Sequence, residues 1–223
     1  MEENNMIIDG LDEIEIANTS IDDIDSENIN LMFLAIDKSG SMSIYESDMR
    51  DALIEFKQAL ENSKEADEIL VAKAEFSEDI DIGGYKKISE FDNKFIADGC
   101  TAMYDAIVTG KDKLAEYRNF LKTEGMRVKA VFSVFSDGLD NASMASFSDA
   151  KAAVDYLNKE EITTAFISFG GEATQTAKDL GFRNILDVSS SASELRKAFN
   201  CLSKSVIESS KSVMADEDDF FQI

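Results

Sequence analysis

Apolar runs alternate with amphipathic stretches along most of the chain. Residues 31–36 form an uninterrupted hydrophobic run and residues 128–135 a nearly uninterrupted one, which is typical of strands buried on both faces of a parallel sheet. Residues 47–62 and 102–121 instead repeat apolar side chains at helical spacing, which predicts helices with one buried face. Because strands and helices alternate, we predict an α/β domain with a doubly wound, mostly parallel central sheet and helices on both faces.

Shorter signals predict the remaining elements. Three further strands are predicted at residues 69–76, 162–169 and 184–188. Residues 80–88 are predicted as a hairpin that turns at Gly83 and Gly84, since paired glycines favour tight turns. Two helix starts follow from the capping-box pattern, in which a serine precedes an acidic residue by three positions. These pairs are Ser146 with Asp149 and Ser191 with Glu194.

Acidic residues outnumber basic ones about two to one, and the excess is concentrated at the two ends. The 223 residues include 45 Asp and Glu against 22 Lys and Arg, a net charge of −23. Residues 1–30 carry ten acidic side chains and residues 214–223 carry four, with no basic residue in either segment. Residues 31–213 keep 31 acidic against 22 basic, a net charge of −9. We therefore predict an acidic N-terminal extension, a central domain over residues 31–213 and an acidic-aromatic C-terminal tail.

Both extensions also carry apolar residues. The N-terminal extension has several isoleucines and one leucine between Ile7 and Ile24. Two interpretations stay open: the extension docks along the domain or a partner, or it is a mobile leader. The C-terminal tail joins four carboxylates to Phe220, Phe221 and Ile223. We expect this tail to project from the domain and to dock its rings into a partner, since exposed phenylalanines are unfavourable in water. Two alternatives are a disordered end and a tail whose carboxylate completes the metal site described below, in its own domain or in a neighbouring copy.

The composition excludes several classes of function. The chain has no histidine, so Ser-His-Asp catalysis, Cys-His catalysis and His-ligated zinc are excluded. Its negative charge argues against direct binding to nucleic acid or to anionic membranes, which need clustered Lys and Arg. No apolar run approaches the ~20 residues of a membrane span, and the start lacks the basic segment of a secretory signal. With Cys100 and Cys201 interpreted as reduced thiols, a cytoplasmic location is predicted.

Short oxygen-bearing side chains follow the predicted strands at the sheet edge where ligands bind in open parallel sheets. Asp37, Ser39 and Ser41 follow the first strand, Thr101 precedes the second long helix, and Asp137 follows the fourth strand. Two carboxylates and three hydroxyls are hard ligands, which suit Mg²⁺ rather than zinc or copper. As alternatives, Asp37, Ser39 and Thr101 could cap helices and Asp137 could be a turn residue.

The order Asp37-x-Ser39-x-Ser41, then Thr101, then Asp137 followed by glycine resembles the metal-ion-dependent adhesion site (MIDAS) of the von Willebrand factor A (VWA) domain family. The resemblance covers most of residues 31–210. It implies a Rossmann-like, six-stranded sheet and a Mg²⁺ or Mn²⁺ ion held by these five side chains. It also implies a partner protein whose acidic side chain completes the metal shell.

The resemblance is to the intracellular bacterial and phage members of the family, which often work beside ATPases or kinases, so a partner of that kind is implied. We therefore predict a metal-dependent protein-protein interaction module and no catalysis. Two alternatives are a Mg²⁺-dependent phosphoryl-transfer enzyme and an acidic mimic of nucleic acid. The first usually needs further acidic groups near the first strand or a lysine near the metal, and Lys38 should point away from its neighbour Asp37. The second leaves the oxygen ligands unexplained.

Overall fold

The computed structural model describes residues 26–63, 68–211 and 220–221. Within these ranges, six strands and five α-helices follow one another. The strands are β1 (Asn28–Asp37), β2 (Glu68–Phe76), β3 (Ile80–Lys87), β4 (Arg127–Ser136), β5 (Thr163–Phe169) and β6 (Asn184–Val188). The helices are α1 (Glu46–Glu61), α2 (Met103–Thr123), α3 (Phe147–Lys159), α4 (Thr174–Leu180) and α5 (Ala192–Lys211). Short 3-10 helices cover Gly40–Tyr45 and Ile88–Glu90.

The six strands form one sheet in the order β3-β2-β1-β4-β5-β6. Among the described strands β3 alone runs antiparallel to its neighbour, and β1 pairs in parallel with both β2 and β4. The strand order reverses between β1 and β4, so the carboxyl ends of these two strands flank the switch point of a doubly wound sheet. The predicted α/β architecture is confirmed.

Alternate residues of β1 are buried on opposite faces of the sheet. Leu31 and Phe33 belong to the hydrophobic cluster that also holds residues of α2, α3 and α4. Leu34 and Ile36 belong to the cluster that holds residues of α1 and α5. Because side chains alternate along a strand, a strand between two layers of helices needs apolar residues at every position. This requirement explains the uninterrupted hydrophobic run in the sequence.

The predicted hairpin at residues 80–88 is wrong. Ile80–Lys87 is a single strand, antiparallel to β2, and the turn between the two strands lies at residues 77–79. The pairing register shifts so that Gly83 and Gly84 lie opposite the single residue Lys73, which is the arrangement of a β-bulge. Gly84 has a positive φ of 68°, which glycine adopts without steric cost. The glycine pair therefore bends a strand and does not reverse the chain.

The two ends of the central domain differ from the prediction. Residues 28–30 already belong to β1, so the sheet begins before residue 31. At the other end Phe220 is buried, with 7% exposure, so at this position the tail packs on the domain and does not project from it. The N-terminal extension up to residue 25 and residues 212–219 lie outside the described residues, and the predictions about them stay predictions.

Two features bear on the environment of the protein. Both cysteines, Cys100 and Cys201, are free thiols. In the parts of the chain that the structure describes, no helix is long and apolar enough to cross a membrane.

Gly110 on α2 provides a test of the packing between helix and sheet. A Cβ atom at this position would lie 2.5 Å from Phe33 Cε1 and 2.8 Å from Phe132 Cε2. Replacing an interior helical glycine by alanine ordinarily stabilises a helix by roughly 1 kcal/mol. Here we expect Gly110→Ala to destabilise the protein by about 1–3 kcal/mol, because two stacked rings must move. Urea unfolding measures this change, with Thr109→Ala on the same helix as the control; a stabilised Gly110→Ala would contradict the described packing.

Candidate metal centre

Three loops meet at the carboxyl edge of the sheet beside β1 and β4. Loop 1 (residues 38–45) follows β1, loop 2 (residues 91–102) leads into α2, and loop 3 (residues 137–146) follows β4. The predicted ligands lie on these loops or at the end of β1. They are Asp37 at the end of β1, Ser39 and Ser41 on loop 1, Thr101 on loop 2 and Asp137 on loop 3.

Backbone hydrogen bonds hold loop 2 against loop 1. The N–H of Gly40 donates to the carbonyl oxygen of Gly99 at 3.0 Å, and the N–H of Asp98 donates to the carbonyl oxygen of Lys38 at 2.7 Å. Gly99 has a φ of +82°, a conformation that side chains other than glycine rarely adopt. This turn brings the segment that ends in Thr101 alongside the loop that carries the two serines.

Loop 3 is joined to loop 2 through Asp140 and Asn141. The Oδ1 atom of Asn141 accepts the N–H of Thr101 at 2.9 Å, and the N–H of Asn141 donates to the carbonyl oxygen of Thr101 at 2.9 Å. The Oδ2 atom of Asp140 accepts the N–H of Tyr104, at the start of α2, at 3.0 Å. The ligand pattern did not mark Asp140 or Asn141. Asp and Asn often accept hydrogen bonds from backbone N–H groups in loops, so their residue types were the signal in the sequence that these two positions could hold a loop in place.

Asp37 and Ser39 form the buried base of the site. The Asp37 side chain is fully buried; its Oδ1 accepts the N–H of Ser39 at 2.9 Å, and its Oδ2 accepts the hydroxyl of Ser136 at 2.7 Å. The hydroxyl oxygens of Ser39 and Ser41 lie 3.0 Å apart. Ser136 was not predicted as part of the site. Its signal in the sequence was its place at the carboxyl end of a mostly apolar strand, because buried hydroxyls need partners.

Ser41, Thr101 and Asp137 line an open cleft of about 560 Å³ above this base. The Oδ1 atom of Asp137 is buried and has no hydrogen-bond partner among the described residues. A buried carboxylate oxygen without a partner is costly, and a bound cation would satisfy it. Within the described ranges, no group of three or more Cys, Asp or Glu residues is placed to hold a metal, so the hydroxyls would have to complete any shell here.

Burial raises the pKa of both aspartates. For Asp37, desolvation is the largest cause; the hydrogen bonds from Ser136 and Ser39 oppose it, and the charge of Asp137 adds to it. For Asp137, desolvation again dominates, the Ser41 hydroxyl opposes it, and the charge of Glu172 at the cleft adds to it. The site therefore penalises two negative charges until a cation balances them.

The helix-capping alternative is not supported for Ser39 or Thr101. Ser39 precedes the first 3-10 helix but its side chain makes no capping hydrogen bond, and the N-cap of α2 is Ala102, not Thr101. By contrast, the predicted capping box of Ser146 and Asp149 is formed at the start of α3. The hydroxyls of Ser39 and Thr101 are thus free of the capping role that their residue types often have.

Cys100, next to Thr101, is exposed. A hydrogen bond to Glu78 is the main cause that raises the pKa of its thiol. A raised pKa lowers the thiolate fraction, which argues against a nucleophilic role.

The six-stranded, mostly parallel sheet matches the fold of a solved von Willebrand factor type A structure. No protein-family model matches the chain, and none of the curated proteins matches it. Solved structures do match in fold. The pilus adhesin SpaC from Lactobacillus rhamnosus GG superposes with a TM-score of 0.64 at 11% identity, over 83% of this chain and 31% of the adhesin.

Two further solved structures are a von Willebrand factor type A structure and a protein with a MIDAS motif. A von Willebrand factor type A structure from Catenulispora acidiphila has a TM-score of 0.55 at 14% identity, over 81% of this chain and 43% of its own. Proximal thread matrix protein 1 from the mussel byssus, with a zinc-occupied MIDAS motif, has a TM-score of 0.55 at 17% identity, over 81% of this chain and 46% of its own. This chain spans less than half of each of these proteins. At such identities the likeness shows the fold alone.

The raised pKa of Asp137 leads to a test with a defined sign. A carboxyl whose folded-state pKa lies above its ordinary value of 3.8 favours the folded state most at pH values below 3.8, and this contribution is lost as the pH rises through the raised pKa. We therefore expect Asp137→Asn to stabilise the metal-free protein at neutral pH by about 1 kcal/mol, with a smaller difference in acid. Millimolar Mg²⁺ should stabilise the wild type and not the variant.

Thermal unfolding in EDTA and in Mg²⁺, at neutral and acidic pH, measures both effects. Asp155→Asn, an exposed position on α3, is the matched control and should respond to Mg²⁺ as the wild type does. An Asp137→Asn protein that is less stable in EDTA, or equally stabilised by Mg²⁺, would contradict this account of the site.

Proposed function

We propose that this protein is a metal-dependent protein-protein interaction module. A Mg²⁺ or Mn²⁺ ion is held by Asp37, Ser39, Ser41, Thr101 and Asp137, and an acidic side chain of the partner protein completes its shell. The observation that carries the proposal is the buried, unpartnered Oδ1 of Asp137, in a cleft shared with Ser41 and Thr101. The zinc-occupied MIDAS of the byssus neighbour supports a divalent metal at this place in the fold.

The neutral hydroxyls among the candidate ligands support a carboxylate as the partner's ligand. Asp37 and Asp137 supply two negative charges, which match one divalent cation, and the three hydroxyls add none. A cation with neutral ligands keeps more of its field towards the open cleft than one surrounded by carboxylates. Mg²⁺ and Mn²⁺ favour oxygen ligands, so an Asp or Glu side chain of a partner is the fitting ligand.

Exposed apolar side chains on the same three loops favour a macromolecular partner. Seven large apolar residues are exposed among those that the structure describes, and four of them lie on loops 1, 2 and 3. These four are Ile44 (76% exposed), Ile96 (72%), Leu139 (50%) and Met144 (95%). We call them the apolar rim. Exposed apolar residues on the loops that carry a candidate binding site favour a protein-binding surface.

The cleft does not favour phosphoryl transfer. Its described lining contains no lysine or arginine, and basic side chains of this kind ordinarily hold the phosphate group in phosphoryl transfer. Burial raises the pKa of Glu75 on β2, and the positive charge of Lys38 opposes this shift. The adhesin and matrix proteins among the solved neighbours also support a binding role without catalysis. A role as an acidic mimic of nucleic acid would not explain the oxygen ligands that are gathered at this site.

The partner class and location belong to the same proposal. We propose an ATPase or kinase of the same system as the partner, in the cytoplasm of a bacterium or a phage-infected cell. Direct contact with nucleic acid or membrane is not part of this function. The free thiols of Cys100 and Cys201 support the cytoplasmic assignment, because reduced cysteines are the rule there.

The apolar rim gives a test that separates metal binding from partner binding. The full-length protein, immobilised in Mg²⁺, should capture a partner that EDTA elutes and that mass spectrometry identifies. With the purified partner, Leu139→Ser with Met144→Ser should weaken binding at least tenfold, because two apolar contacts are lost. Ile54→Ser with Tyr156→Ser, two exposed positions on helices α1 and α3, is the matched control and should bind normally.

All of these variants should keep wild-type affinity for Mg²⁺. Asp137→Asn should lose the partner altogether. Mg²⁺-dependent phosphatase or ATPase turnover that disappears in Asp137→Asn would overturn the proposal in favour of an enzyme.

A further inference from the structure

The C-terminal phenylalanines lie against the domain at the amino end of β6. The Phe220 side chain is 7% exposed and belongs to the hydrophobic cluster that includes Leu186 of β6 and Val206 of α5. The ring of Phe221 meets that of Phe220 edge-on, with centroids 5.2 Å apart. The metal loops follow the carboxyl ends of β1 and β4, so this contact is separate from the candidate metal centre.

Asn184 provides a fixed acceptor for the tail. Its side chain is buried, and its Nδ2 donates to the carbonyl oxygen of Thr164 at 3.1 Å. This bond orients the amide so that Oδ1 accepts the N–H of Phe220 at 3.0 Å, in a buried hydrogen bond. Because a buried amide oxygen needs a donor, the domain presents here a built receptor for a backbone N–H next to an aromatic ring.

The receptor is supported from within the domain. The Thr164 hydroxyl donates to Oδ1 of Asn158 at 2.8 Å and accepts the N–H of Arg183 at 3.2 Å. Nδ2 of Asn158 in turn donates to the carbonyl oxygen of Gly181 at 2.9 Å. These bonds do not involve the tail, so the acceptor keeps its place whether or not the tail is docked.

The sequence between the helix and the rings opposes docking. Residues 212–219 connect α5 to Phe220, and the four residues directly before Phe220 are all acidic. They join a central domain that already carries a net charge of −9, so like charges repel. A buried ring and one backbone hydrogen bond therefore hold the tail against repulsion and against the entropy of closing the connection. We therefore expect the tail to leave and re-enter this contact.

We propose that the surface around Asn184 is a docking site for acidic-aromatic C-terminal segments, filled by the chain's own Phe220 and Phe221 and open to the same segment of a second copy. Contacts made within one chain can be made identically between two, which is the basis of segment exchange in homo-oligomers. This inference does not depend on the proposed metal-dependent function.

A labelled peptide with the sequence of residues 214–223 serves as the tail of a second copy. The receptor is the full-length protein with Phe220→Ala and Phe221→Ala, which leaves the docking site vacant. We expect saturable binding by fluorescence anisotropy, at least tenfold weaker binding to the wild type because its own tail competes, and no binding of a scrambled peptide. Asn184→Ser added to the receptor should weaken binding roughly fivefold, whereas Asn119→Ser, at an exposed asparagine of α2, should not.

Hydrogen exchange at the Phe220 amide supplies an independent readout. This amide should be protected in the wild type and exposed in Asn184→Ser, while circular dichroism shows that the variant remains folded. Asp137→Asn and EDTA should change neither result, which separates a failure of this inference from a failure of the metal site. The proposal is overturned if the vacant receptor does not bind the peptide, if it binds no better than the wild type, or if the Phe220 amide is unprotected.

Discussion

The buried carboxylate of Asp37 is the constraint on which the site depends. It lies at the end of the strand at the centre of the sheet, where charge is strongly disfavoured. The N–H of Ser39 and the hydroxyl of Ser136 each satisfy one of its oxygens. Those bonds fix the start of loop 1, and loop 1 fixes loop 2 through backbone hydrogen bonds. The position of Thr101 therefore follows from how the fold accommodates one buried charge.

The same constraint connects the fold to the proposed function. Asp137 adds a second carboxylate whose Oδ1 has no partner within the described residues, and the pKa values of both aspartates are raised mainly by desolvation. In the proposed function a hard divalent cation would relieve both penalties and would supply an electrophilic centre at the cleft. The apolar rim on the three loops is unfavourable in contact with solvent. It becomes favourable when a partner covers it.

Local signals in the sequence were sufficient for much of the fold. The run in β1 predicts a strand because every position there faces a hydrophobic layer, and the capping box at Ser146 predicts a helix start because its partners lie three residues apart. The five ligands were predicted from their order together with a family resemblance, since no local pattern connects Thr101 to Asp37. The structure places Asp37 at the end of β1 and the other four side chains on the three adjoining loops; their role as metal ligands stays a prediction.

The features that the sequence did not reveal depend on contacts between distant residues. Asn141 orients Thr101 from 40 positions away, and Asn184 binds Phe220 from 36 positions away. Gly83 and Gly84 carry the signal of a turn, but pairing with β2 makes them a bulge. In each case tertiary contacts decide between conformations that the local sequence allows equally well.

Calorimetric titration of the full-length protein with Mn²⁺ tests the central claim most directly. Clustered carboxylates attract cations without forming a defined site, and the two ends of the chain are acidic. The control variants therefore leave the charge of the ends unchanged. We predict one saturable Mn²⁺ site per chain, displaced by Mg²⁺, present in Asp155→Asn and absent in Asp37→Asn. A titration in which Asp37→Asn binds as the wild type does, or in which neither protein shows a saturable site, would contradict the account.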